Sequence, residues 1–334
     1  MIWRDFYAQI LANEKIQNQF TIQQFESQFF EMLKLHKENI KEMKITGYGR
    51  FMNYEFNEFK KMNLETFEDA NSTSITQYVR FIENRKVFFS MNKELIACIE
   101  LTNKKFFELH PHLQLESKAL KELNQLAYRI FFFGYKSELL LNSKNEFITL
   151  DDIKIIIKYL DEIAQNHKET FGDNNKVDGI KIYIKYKPFT GHENRLGHYY
   201  RHLYSIVKYV TKKEKQGLFD YERSREYLKL VRSQMSNDEQ LMLYYNFIFK
   251  FGKNWDSIYS NTNEVSEDKK SKGLKNQFFT KYRMLHNIPI DRIYDKVEKP
   301  QNYFKLYNNN LKKEKVIKNH KIDEDDNLFE WLID

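Results

Sequence analysis

Histidine, arginine and tyrosine crowd together in one stretch of this 334-residue chain, KPFTGHENRLGHYYRHLYSIVKYV at 187–210. Arg195, His198, Arg201 and His202 stand there at helical spacing, and their residue types suit phosphate chemistry. A histidine titrates near neutrality, so it can take the proton of an RNA 2′-hydroxyl or give one to the leaving oxygen. An arginine can stabilise the charge that builds on the phosphorus oxygens. DNA lacks the attacking hydroxyl and would resist such a site. His198 and His202, one helical turn apart, could work as acid and base or hold a metal, with His192 joining them, but no carboxylate cluster supports a metal. The same side chains could equally form a buried hydrogen-bond network or a binding surface. His192, Arg232, Lys185 and Lys187 are the expected substrate contacts, with Arg232 reaching in from the next helix.

These residues need a helix to hold them. Pro188 and Gly191 form a turn, and an amphipathic helix follows. At about 100° per residue, Leu196, Tyr199, Leu203, Ile206, Val207 and Val210 fall on one face. Arg195, His198, His202, Ser205 and Tyr209 fall on one flank, while Arg201, Tyr204 and Lys208 point further out. Just upstream, Ile180, Ile182, Ile184 and Tyr186 alternate with lysines, which reads as a short strand whose lysines could lead a ligand toward the cluster or simply guard an edge.

The remaining pattern is mostly helical. Ile22, Phe25, Phe29, Leu33, His36, Ile40 and Met43 recur at three and four, one face of a helix, and His36 inside that stripe reads as a core histidine. Residues 1–21 form an N-terminal arm. Gly47 and Gly49 break the first helix, and further helices are expected over 50–62, 75–109, 117–141 and 149–167. His110-Pro111-His112 reads as a solvated turn. A helix over 219–235 carries Arg223, Arg225, Lys229 and Arg232, which read as a solvated basic face or, as the alternative, a phosphate-binding one. Ser236 and Glu239 make a capping box for the helix that closes at Gly252. Residues 254–272 form a polar loop, and 278–285 a last packed helix. The fold expected is therefore mainly α, a multi-helix globular protein with a minor β element near 180–187. A helical domain covers 22–298, and a charged tail covers 299–334, whose acidic end could dock through Phe329 and Trp331.

Composition bounds the function. Glycine (10) and proline (4) are scarce and aromatic residues make up 16%, enough for a packed helical core. The net charge of +7 is a mild, dispersed basic excess that permits nucleic acid without demanding it. One cysteine, Cys98, rules out a disulfide framework and a cysteine zinc site within one chain. No signal-peptide pattern and no run of about 20 apolar residues is visible, so a cytoplasmic protein away from the membrane is expected. Phosphate-loop, nucleophile-elbow and His-Glu-x-x-His motifs are missing, which removes the common nucleotide hydrolase, esterase and zinc protease readings.

Three separated segments carry a family resemblance: FESQFFEMLKLHKENI (25–40) with GYGRF (47–51), FTGHENRLGHYYRHLYSIVKYV (189–210), and YLKLVRSQMSNDEQLMLYYNFIFKFGKN (227–254) with FFTKYRMLHNIP (278–289). In order and content they resemble the AbiC-like phage abortive-infection proteins. That resemblance implies antiphage defence at the expense of the infected cell. Many relatives carry two membrane helices before the first motif, whereas only residues of mixed polarity precede Ile22 here. Arg195 and His202, six residues between them, also resemble the motif of HEPN ribonucleases, helical proteins of prokaryotic defence, although Leu196 follows the arginine where that motif has a polar residue. The resemblance implies metal-independent RNA cleavage without a cofactor. The expected partners are RNA, a phage-encoded trigger and a second copy of the chain. A sensor without catalysis, or an RNA-binding protein without chemistry, stays open beside it.

Overall fold

Helix α1 (Ile2–Glu42) is one continuous helix, so the residues expected as an N-terminal arm form its first half. The computed structural model describes residues 2–43, 45–50, 78–83, 87–142, 145–166, 176–177, 180–183, 188–256, 276–304 and 328–329. The protein is mainly helical. It divides into two compact units, one made of Met1–Ile40 with His198–Asp334 and one of Lys41–Gly197.

In the Lys41–Gly197 unit, β1 (Ile45–Arg50), β2 (Tyr78–Glu83), β3 (Lys176–Val177) and β4 (Ile180–Tyr183) form an antiparallel sheet in the order β2-β1-β4-β3. The alternating stretch at 180–183 thus lies between two neighbours and is not an edge. Residues 184–187, with Lys185 and Lys187, lie outside the described residues, as does most of the helix expected over 50–62. The helix expected over 75–109 is present only from Val87. Its first part is β2, paired residue for residue with β1 from Ile45↔Glu83 to Arg50↔Tyr78. The β-branched and aromatic alternation of YVRFIE favours that pairing.

Helices α2 (Val87–Leu109), α3 (Ser117–Phe133) and α4 (Leu150–Asn166) pack around Leu95, Ile99, Phe106, Leu123, Ile130, Ile156 and Leu160, all fully buried. The His110-Pro111-His112 turn is more than solvated. His110 Nε2 lies 2.8 Å from Asp152 Oδ1, and the other oxygen of Asp152 accepts from the Thr149 backbone and hydroxyl. Helix α3 stops at Phe133, eight residues earlier than the apolar run suggests, because the chain turns at Gly134 with φ 88°. Residues 188–192 are stitched to that end: Tyr135 N donates to Phe189 O at 2.9 Å and His192 N to Phe132 O at 2.8 Å.

In the other unit, α5 (Glu193–Lys215) from His198 onward packs with α1, α6 (Tyr221–Ser233) and α7 (Asn237–Ile248). Phe25 meets Tyr209, Phe219 and Tyr227 at centroid distances of 5.2, 4.9 and 4.9 Å. Asp220 caps α6, and the Ser236–Glu239 capping box expected for α7 is present. Residues 278–285 are not a helix. Asp256 accepts from Thr280 N and Oγ1 at 2.8 and 2.7 Å, which pins a run of turns, and Arg283 adopts φ 59°. Their apolar side chains are nonetheless core, including Phe278, Phe279, Met284 and Leu285. Beyond the short α8 (Pro300–Tyr303), Phe329 is buried with its ring 6.1 Å from Phe304, while Trp331 lies outside the described residues. Among the described residues no helix is long and apolar enough to cross a membrane.

The Gly134–Gly191 approach sets the entry to α5. A Cβ on Gly191, which has φ 99°, would lie 2.7 Å from the carbonyl carbon and oxygen of Phe133. Gly191→Ala should therefore destabilise the fold by about 2 kcal/mol or more, through left-handed strain and overlap. Thermal melts should show a drop of about 5 °C, and an unchanged melting temperature would refute this close approach.

Candidate functional site

Helix α5 buries the face expected of it: Leu196, Tyr199, Leu203, Ile206, Val207 and Val210 are all fully covered. Its entry is fixed in the Lys41–Gly197 unit. There the Glu94 carboxylate receives the Phe189 N–H at 2.6 Å and lies 2.8 Å from His192 Nε2. His192 is 3% exposed and its ring packs 4.7 Å from Phe131. It was expected as a substrate contact, but burial makes it an internal partner of a buried carboxylate. Glu94 is not among the residues expected at the site, although its place between Met91, Leu95 and Cys98 on an apolar helix face signals a buried charge.

From His198 onward the helix belongs to the other unit, and Tyr199 organises its inner side. The Tyr199 hydroxyl donates to Glu239 Oε1 at 3.0 Å, and Glu239 Oε2 accepts the Ser236 N–H at 2.7 Å. Burial, then the nearby Glu239 charge, holds the phenol well above its ordinary range. Burial likewise raises the Glu239 carboxyl. The Tyr199 ring lies 5.0 Å from His36, and His36 Nδ1 lies 3.4 Å from His202 Nδ1. His36 is 1% exposed. Its pKa is pushed down to about 4, first by burial and then by the neighbouring His202. Burial also lowers His202, which is half-exposed. Both imidazoles are therefore neutral at pH 7.

The outer side differs. His198, Arg201, Ser205 and Lys208 are exposed, and no ion pair ties down Arg201 among the described residues. His198, Arg201 and His202 thus share one rim, with His202 sunk against His36. Arg195 is exposed on the first turn of α5, within the Lys41–Gly197 unit and not with His198, Arg201 and His202. Tyr204, expected to point outward, is half-buried: its hydroxyl accepts from Asn276 Nδ2 at 2.7 Å and its ring meets Trp255 and Phe278. Arg232 does not reach the rim from solvent. It is 8% exposed and donates to Arg283 O at 2.8 Å, so it leaves the solvated face expected of α6. Arg223 stays exposed and meets Glu26 at 3.1 Å, and Lys229 meets Glu226 at 2.8 Å. Among the described residues no group of three or more His, Cys, Asp or Glu side chains is placed to hold a metal.

This rim lies in the segment with a recognisable family, together with the rest of α5, α6 and α7. Residues 191–261 match the family described as "Putative phage abortive infection protein", which relates α5, α6 and α7 to antiphage defence. No curated protein and no solved structure matches the chain.

The buried pair makes stability depend on pH. His36 titrates lower in the folded chain than the ordinary 6.5 of the unfolded one. The unfolded state therefore binds more protons between those values, and stability falls as pH drops from about 6.5 toward about 4. Between pH 7 and pH 5 this group alone should remove about 2 kcal/mol. Urea denaturation at the two values measures it, and His36→Leu should flatten the difference. Equal pH dependence in both proteins would count against a buried neutral His36.

Proposed function

We propose that this chain is an antiphage defence protein that acts by abortive infection, and that the α5 rim of His198, Arg201 and His202 cleaves RNA without a metal. The observation that carries the reading is the conjunction at one rim: an exposed guanidinium within one turn of two imidazoles, one of them kept neutral by burial against His36. The family match over 191–261 supports the defence role.

The chemistry balances with these residues alone. The RNA 2′-oxygen attacks phosphorus while its proton passes to a neutral imidazole nitrogen. The bond from phosphorus to the 5′-oxygen breaks, and that oxygen collects a proton from the imidazolium so formed or from water, leaving a 2′,3′-cyclic phosphate. Arg201 stabilises the charge on the non-bridging oxygens. A second reading is favoured by the exposure of Arg201 and Lys208: the rim binds a phage component without chemistry.

Purified full chain should cleave single-stranded RNA in the presence of EDTA and leave DNA of the same sequence intact. His198→Ala should lower the rate by about 10²–10⁴-fold and Arg201→Ala by about 10²–10³-fold. A protein that protects cells yet leaves RNA whole would overturn the cleavage and leave the binding surface.

A further inference from the structure

Which imidazole takes the proton depends on what lies behind each. The His36 and His202 rings are 22° from parallel, with centroids 5.5 Å apart and Nδ1 atoms 3.4 Å apart. The difference between the two distances is close to the reach from centre to nitrogen in two imidazoles added together. The rings therefore meet edge to edge, their nitrogens pointing at one another, and do not stack face to face. A ring N–H and a ring lone pair both lie in the ring plane, so this is the geometry of one N–H···N hydrogen bond with one shared proton.

Two assignments of that proton exist. If His202 donates, neutral His36 must carry its own proton on Nε2. That atom is buried and meets no hydrogen-bond partner among the described residues, so the N–H would be orphaned. If His36 donates from Nδ1, its Nε2 keeps only a lone pair. His202 then carries its proton on Nε2, the nitrogen turned away from His36 on a half-exposed side chain, where water can bond it. Orphaned buried N–H groups are rarer than under-satisfied acceptors, which selects the second assignment. Among the described residues, the other titratable groups against the pair are Tyr199 and, through its hydroxyl, Glu239, and neither bonds His36 Nε2.

We propose that His36 is a positioning residue that fixes His202 as its Nε2–H tautomer, so that His202 meets a phosphate oxygen as a neutral hydrogen-bond donor and His198 is left as the base. The phosphate rests on the ribonuclease reading of the rim, and the tautomer does not. His198 stands one turn before His202, exposed, with no second histidine bonded behind it among the described residues.

Long-range proton–nitrogen correlation spectra of the full chain at pH 7 test the tautomer directly. The expected result is a single form, with the His202 proton on Nε2 and the His36 proton on Nδ1. A His202 proton on Nδ1, or an even mixture, overturns it. His36→Asn places an amide N–H where Nδ1–H stood and should hold the His202 tautomer, whereas His36→Leu should release it into a mixture. A single His202 tautomer in the folded leucine variant overturns the positioning role. Should that variant fail to fold, a mixture in the folded asparagine variant does so instead. On RNA, His202→Gln keeps an N–H near the Nε2 position and should retain about a tenth of the cleavage rate, while His198→Gln should lose about 100-fold. The reverse order overturns the division of roles. Intact RNA with the unaltered protein would sink the ribonuclease reading and that division with it, whereas the tautomer stands or falls by the spectra alone.

Discussion

The Tyr199 hydroxyl bonded to Glu239 is the contact on which this unit depends. A phenol and a carboxyl, both buried, each satisfy the other, and the second carboxylate oxygen closes the cap of α7. An unmet partner at either end would cost about 1–3 kcal/mol, so the rotation of α5 and the start of α7 are set together. With that rotation set, the same tyrosine ring forms the wall against which His36 rests. His36 in turn meets His202 and holds it at the boundary between core and water. The helix thus has one side committed to the fold and an adjoining side free to meet a ligand.

That division was readable from the sequence wherever one helix decides the answer alone. The apolar positions of α5 follow the helical period and are all buried, and the capping box of α7 is a local pattern that needs no tertiary partner. The stripe on α1 was equally legible, His36 included, because Phe25, Phe29 and Leu33 set its phase. Phage defence was legible too, through a resemblance whose densest segment lies within the matched residues.

What escaped the sequence depended on distant partners. Residues 78–83 pair with the strand Ile45–Arg50, far earlier in the chain, and apolar content alone could not tell that strand from a helix. Residues 278–285 look helical in spacing, yet Asp256 captures Thr280 and holds turns. Arg232 has the composition of a solvated helix face, but the Arg283 carbonyl draws it inside. At the site, periodicity placed His198 and His202 on one flank. It could not show that His202 is half-sunk onto another imidazole while His198 is not, since that distinction comes from α1.

The central claim is that the inner side of α5 keeps the fold while its outer rim does the work. Arg201→Glu, a charge reversal at an exposed position without an ion pair among the described residues, tests it most directly. Phage plating on cells that make this variant should be read beside the thermal melt of the same purified protein. The account predicts that protection is lost while stability changes by no more than about 0.5 kcal/mol. Full protection by a normally folded Arg201→Glu protein would contradict it.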